Sequence, residues 1–279
     1  MAINFLRIVD LTRLSEPNVG KRLADDIPLW SSIGKVNLSS SYERVRNRAD
    51  LERLFQRILE RCQSQGEVPI LHFEAHGCRE RIYIGESESC SWSDFLELLR
   101  AVNVTIKNNL LVTMATCKSA WLSLSVAPDR PCPFCLLIAP IDDVSIGEVE
   151  DGFQEFYRTL LANYDMNGCL GALNARVASP GNAFVAVDAE ELFLGVAKAY
   201  VEKLSSGAAR RRRLEKLVSR AVVGGITKAT PLPSIRKQLR RGLWDDPDIH
   251  LKPLFERFMM IDQFPENAAR FKFDLKGVT

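Results

Sequence analysis

Ile70-Leu71-His72-Phe73-Glu74-Ala75-His76-Gly77 is the stretch on which the fold turns. The apolar run from Val68 to Phe73 is too brief for a helix and suits a strand buried on both faces. It closes on Ala75-His76-Gly77, so a histidine stands just past the strand's C-terminal end. A second run of the same kind, Leu110-Leu111-Val112-Thr113-Met114, closes on Ala115-Thr116-Cys117. His76 and Cys117 thus hold equivalent places, 41 positions apart, at the ends of two buried strands. In open α/β sheets the reactive crevice lies along that edge, because loops leaving neighbouring strands converge there.

Outward from these strands the periodicity is helical. Leu51, Leu54, Phe55, Ile58, Leu59 and Cys62 predict a helix over 50–62 that ends at Gln65-Gly66-Glu67. Arg81 to Gly85 reads as a small strand of a hairpin or edge. Ser91 to Val102 reads as a helix capped by Ser91 or Ser93, with Phe95, Leu96, Leu98 and Leu99 for the core. A third apolar run spans Phe134 to Ala139. Ser145-Ile146-Gly147-Glu148 has capping-box spacing, and Val149, Phe153, Phe156 and Leu160 follow on one face. Ala183 to Val187 reads as a strand and Glu190 to Leu204 as a helix. This alternation over residues 36–204 predicts an α/β fold, a mainly parallel sheet flanked by helices on both faces. The main domain is drawn at 1–204. Residues 205–279 form a helical C-terminal extension interrupted by Pro231, Pro233, Pro247 and Pro253.

Composition narrows the class. The chain has 279 residues, 46% hydrophobic and 26% charged, within the globular range. No apolar run reaches the length of a membrane span, so no membrane association is expected. Met1 to Asp10 lacks the pattern of a secretion signal. Seven cysteines (62, 78, 90, 117, 132, 135 and 169) form an odd set without a framework, which points to reduced thiols and a cytoplasmic location. The net charge of +2 conceals an asymmetry. Lys203 to Arg241 holds twelve Lys or Arg residues against the single acid Glu215, a local balance of +11, so the rest of the chain carries −9. Such a split marks an interaction surface in the C-terminal third.

The chemistry open to His76 and Cys117 is nucleophilic. Cysteine attacks as the thiolate, and an imidazole beside it can take the proton. Gly77 leaves its N–H unobstructed, and with the N–H of Cys117 it could hold an oxyanion. On residues alone the question stays open, since a lone cysteine at a strand end is more often core than catalyst. His72 and Glu74 share strand parity with His76; the plainer reading makes His72 a hydrogen-bonded core residue and Glu74 a support for the loop. Cys132-Pro133-Phe134-Cys135 has the two-residue gap of zinc and redox sites, but no second pair completes a ligand set, so no metal is assigned. Cys78 adjoins Gly77 and is set aside in favour of Cys117. Asp142 and Asp143 could border a cleft and favour basic substrate residues; their plainer role is at the N-terminus of the next helix.

Four motifs together resemble one family. Ile70 to Gly77 resembles the histidine motif of CHAT-domain proteins, the branch of caspase-like peptidases that includes separase relatives. Leu110 to Ala120 looks like the matching cysteine motif, and Ser91-Trp92-Ser93-Asp94-Phe95-Leu96-Glu97-Leu98-Leu99 is similar to the helix start between them. Ile138-Ala139-Pro140-Ile141-Asp142-Asp143 and Phe153-Gln154-Glu155-Phe156-Tyr157-Arg158-Thr159-Leu160 resemble the next strand and helix. Lys118-Ser119-Ala120 departs from the Thr-Gly or Ser-Gly that often follows the cysteine.

The resemblance implies a caspase-like three-layer sandwich and a cysteine endopeptidase of the thiol protease class. Cys117 would be nucleophile, His76 general acid–base, and Gly77 an oxyanion donor, with no cofactor and a protein as substrate. It also implies a setting in regulated proteolysis or bacterial defence. The alternative is a catalytically inactive peptidase-fold scaffold or regulator acting through its basic extension. That extension would dock a regulatory protein partner or, as the weaker reading, nucleic acid.

Overall fold

The computed structural model describes residues 3–163, 165–178, 184–203, 207–225, 229–244 and 248–274. Ala183, Leu204, Lys228 and Pro247, on which the sequence reading drew, lie outside the described residues. Six strands form one sheet: β1 (Phe5–Asp10), β2 (Ser39–Arg44), β3 (Pro69–Ala75), β6 (Leu111–Thr116), β7 (Leu136–Pro140) and β8 (Phe184–Asp188). Their order is β2-β1-β3-β6-β7-β8, with every neighbouring pair parallel except β7 with β8. The separate hairpin β4 (Arg81–Ile84) and β5 (Glu88–Ser91) is antiparallel and turns at Gly85, whose φ of 57° suits glycine.

Helices cover both faces. On one, α1 (Val19–Ile33), α4 (Ile146–Asn163) and α5 (Met166–Asn174) bury Leu23, Ile27, Phe153, Phe156, Tyr157 and Leu173 against Leu6, Ile8, Ile70, Leu111 and Ile138 of the sheet. On the other lie α2 (Arg48–Gln65) and α3 (Trp92–Thr105), where Phe55 of α2 and Phe95 of α3 meet Phe73 of β3. This part of the chain is therefore a three-layer α/β sandwich, as its alternating pattern predicts.

Local signals fixed several boundaries. Asn47 accepts from the Asp50 N–H to cap α2, which stops at Gly66 in the left-handed region, φ 66°. Ser91, and not Ser93, caps α3. The capping box before α4 closes in both directions: Ser145 N–H donates to Glu148 Oε2 at 2.8 Å, and Glu148 N–H donates to Ser145 Oγ at 3.3 Å.

Neither β1 nor β2 is legible in the sequence, and each for a physical reason. β1 carries Arg7 and Asp10, whose charges suggest exposure. Each is buried, Arg7 on Glu67 and Asp10 on Arg44. β2 reads Ser-Ser-Ser-Tyr-Glu-Arg, a polar sequence that only the edge of a sheet tolerates. Helix α1 was also unassigned, and Pro28 lies inside it.

The chain divides into two compact units, residues 1–127 with 131–189, and 128–130 with 190–279. The boundary thus falls at Ala189 and Glu190, where the sequence reading placed it at 204. The physical reason is α6 (Ala189–Lys203), whose Phe193 packs on Phe255 and Phe258 of α9 (Asp248–Phe258), within the second unit. That unit is completed by α7 (Gly207–Val223) and α8 (Leu232–Trp244), with Leu214 and Val218 of α7 packed on Tyr200 and Leu239. Among the described residues no helix is long and apolar enough to cross a membrane.

Candidate active site

The strand register carries the two candidate residues to one another. β3 and β6 pair as His72 with Thr113, Phe73 with Met114, Glu74 with Ala115 and Ala75 with Thr116. The next step along both strands is His76 and Cys117. Their 41-residue separation equals the register offset of the two strands, so they leave adjacent strands side by side. Side chains on paired positions of parallel strands point to the same face.

Both residues line one narrow cleft of about 80 Å³ at the C-terminal edge of the sheet. Its walls are apolar, with Val19 from α1 and Ile146 and Val149 from α4; its polar groups include Glu16, Glu74, His76 and Cys117. The sheet's strand order reverses between β1 and β3, and the loops leaving those strands bound the cleft. That is where ligands collect in open α/β sheets.

Gly77 is fixed by contact with the cysteine strand. A Cβ built on it would lie 2.6 Å from Thr116 Cγ2 and 2.9 Å from the Cys117 carbonyl oxygen. No larger residue lets the histidine loop approach the Thr116-Cys117 backbone so closely. Tyr83 N–H donates to the His76 carbonyl and Cys78 N–H to that of Arg81, which fastens this loop to the β4 edge. Among the described residues neither the Gly77 nor the Cys117 N–H donates to another protein group.

Glu16, not among the candidates that the sequence suggests, is the partner of the histidine. His76 Nε2 lies 2.8 Å from Glu16 Oε1, and Glu16 Oε2 accepts the Arg13 N–H at 3.1 Å. Burial raises the Glu16 carboxyl, but the hydrogen bonds from His76 and the Arg13 backbone outweigh it and hold it below its ordinary value. The signal was available: an acidic residue in the loop after a strand that ends at the same sheet edge. Recognising it required assigning β1. With Nε2 engaged by Glu16, Nδ1 is the imidazole edge left for a proton from elsewhere.

The Cys117 thiol is half-buried and lies 3.7 Å from the Val144 carbonyl oxygen, its acceptor. Burial pushes the thiol up, the Val144 hydrogen bond lowers it, and Asp143 raises it again. The resting sulfur is therefore protonated near neutral pH. Lys118, next in the chain, holds a left-handed φ of 56°, a conformation that costs a non-glycine residue about 1–2 kcal/mol. It is kept there by its N–H donating to the Asp142 carbonyl at 3.1 Å and by Nζ pairing with Asp143 and Asp142. Asp142 and Asp143 thus brace the turn after Cys117; the cap of α4 belongs to Ser145.

His72 and Glu74 do not join the pair. His72 is fully buried, and its Nδ1 lies 2.9 Å from Thr113 Oγ1 and 3.2 Å from the Tyr157 hydroxyl. Glu74 Oε2 accepts the Gly20 N–H at 2.7 Å in the first turn of α1. Cys78 Sγ donates to Glu80 Oε2 at 3.2 Å and accepts from the Tyr83 hydroxyl at 3.9 Å, while Cys132 is buried and donates to the Phe134 carbonyl. Among the described residues no group of three or more His, Cys, Asp or Glu side chains is placed to hold a metal ion.

Fold and cleft together define an α/β protein with a histidine and a cysteine at adjacent strand ends of a parallel sheet. The chain matches no known protein-family model and no curated protein.

Proposed function

We propose that the protein is a cysteine endopeptidase of the caspase-like, CHAT-related kind, with Cys117 as nucleophile and His76 as general acid–base. The observation that carries this reading is the register of β3 with β6, which runs straight on to His76 and Cys117 at the mouth of one cleft. The protonated thiol implies that the nucleophile forms as it attacks and does not rest as a thiolate.

In the first step the thiol proton passes to His76 Nδ1 while sulfur bonds to the scissile carbonyl carbon. The oxygen takes up negative charge, and the N–H groups of Gly77 and Cys117 stabilise it. As the tetrahedral species collapses, the C–N bond breaks and His76 returns its proton to the departing amine. A thioester on Cys117 remains. Water then attacks it as His76 takes a proton from that water; collapse of the second tetrahedral species breaks the C–S bond, His76 returns the proton to sulfur, and the acid departs. Glu16 acts as a positioning residue: it fixes the ring's orientation and favours the imidazolium that forms in each half-reaction.

The test uses a fluorogenic peptide library and a peptide acyloxymethyl ketone probe on the full chain. Wild type is expected to cleave and to be labelled at Cys117. Cys117→Ala and His76→Ala should each lose at least about a hundredfold in kcat/KM while unfolding like wild type. Cleavage that survives in Cys117→Ala overturns the assignment. Absence of cleavage and of labelling in wild type favours the scaffold reading.

A further inference from the structure

The basic stretch that the peptidase reading leaves unused forms a groove within the second unit. Between α7 and α8 lies a cavity of about 630 Å³, within the range of about 300–1,000 Å³ typical of ligand sites. Arg211 from α7 and Arg236, Lys237 and Arg240 from α8 line it, all of them exposed. Among the described residues Glu215 is its one acidic lining residue, and Arg236 donates to it at 2.7 Å. Leu214, Leu232 and Pro233 give an apolar floor. Arg210, Arg212, Arg213, Lys216, Arg220 and Arg241 add further charge to the same two helices.

This is more than a solvated helix face. The packing of Leu214 and Val218 on Tyr200 and Leu239 holds the helices together, so the cations converge on a shared concavity. We propose that this groove binds single-stranded nucleic acid through its phosphate backbone. Two features favour that occupant. Arginine predominates, and its planar guanidinium matches phosphate oxygens two at a time. A groove between two helices admits a single strand, whereas the backbone of a duplex lies across a surface. Among the described residues no aromatic lines the groove, so contact there runs through charge with little preference for sequence.

The test measures fluorescence anisotropy of a labelled 20-nucleotide mixed-sequence single strand, as DNA and as RNA, with the full chain in 50–200 mM KCl. Arg211 and Lys237 together should contribute about −1.4 to the slope of log K against log salt, at about 0.7 per phosphate for single strands. Arg211→Gln with Lys237→Gln should weaken binding at least about tenfold at 50 mM and flatten the slope by about 1.4. Arg61→Gln, an exposed change on α2, should alter neither. Arg211→Lys keeps the charge and should retain most of the affinity, which separates loss of phosphate contact from loss of fold. The proposal is overturned by failure of the single strand to bind or by an unchanged slope in the double variant. Tighter binding of a 20-base-pair duplex, or equal affinity for polyglutamate, also overturns it.

Discussion

In the sheet-bearing unit the inward charges are answered by partners: Arg7 sits on Glu67, and Asp10 accepts from Arg44, from the Tyr42 hydroxyl at 2.6 Å and from Thr12. Along α7 and α8 most of the cations stand exposed amid an excess of their own sign, while Arg236 pairs with Glu215 and Arg213 lies against Tyr200. The first arrangement spends charge on holding strand ends in place. The second leaves charge available to something outside the chain. Substitutions that look alike on paper should therefore differ sharply between the two units.

The largest contrast should come from Asp10→Ala. Asp10 is fully buried, and its removal leaves Arg44 without its partner and Tyr42 and Thr12 without their acceptor. Breaking a buried pair from one side costs about 3–5 kcal/mol. Arg211→Ala in the groove should move stability by no more than about 0.5 kcal/mol. Urea unfolding of both variants measures the difference, and equal midpoints would erase the distinction between the units.

Gly77→Ala comes next, and it probes the strand junction itself. The added methyl would meet Thr116 Cγ2 at 2.6 Å and the Cys117 carbonyl at 2.9 Å, so one of the two loops must move. Overpacking of this kind costs about 1–3 kcal/mol. Because the shift falls on the oxyanion donors, peptide cleavage should fall further than stability does. A variant as active as wild type would remove Gly77 from the site.

These two residues also show how far the sequence could be read. Gly77 was legible, because His76-Gly77 and Cys117 end two apolar runs of strand length, and parallel strands buried on both faces advertise themselves through such runs. Asp10 and Glu16 were not. The strand that carries Asp10 and leads to Glu16, β1, is an interior strand of the sheet, yet it holds two charges whose partners lie 60 and 34 residues away in the chain. No local pattern reveals a charge neutralised at that distance. Glu16 was lost with its strand, and with it the group that holds His76. The capping box at Ser145 lay at the opposite extreme, since all of its partners fall within four residues. The boundary at Ala189 was invisible for the same reason as β1: α6 has an ordinary helical pattern, and contact with α9, far along the chain, decides where it belongs.

Thiol reactivity should grade the cysteines by burial and give a smaller effect. Burial first of all pushes Cys62 and Cys90 up to about 11 and Cys169 up to about 12, and carries Cys132 well up too. With iodoacetamide at pH 8 these should stay unmodified in the folded protein, while Cys78 reacts readily and Cys117 slowly. Peptide mapping over time reads the order. If Cys117 reacts faster than a free thiol at pH 7, the sulfur rests as a thiolate, and the concerted first step gives way to attack by a preformed ion pair.

The smallest effect is expected from Glu16→Gln, and its sign is set by linkage. The Glu16 carboxyl lies below its ordinary value of 4.5 in the folded chain, so the unfolded chain binds the proton more tightly. The stability contributed by the carboxylate is complete above pH 4.5 and is lost as pH falls through the depressed folded value. Glutamine has no proton to bind. Wild type should thus exceed Glu16→Gln in stability at pH 6, and the gap should narrow as the pH is taken below 4.5. The pair is partly exposed, so added salt should shrink the gap as well. On peptide substrates the same variant should lower kcat and leave KM near its wild-type value, because Glu16 acts on the imidazole and not on the bound chain. A gap that stays constant with pH would mean that His76 is positioned by packing alone, and the charged pair at the sheet edge would then resemble the solvated charges of the second unit.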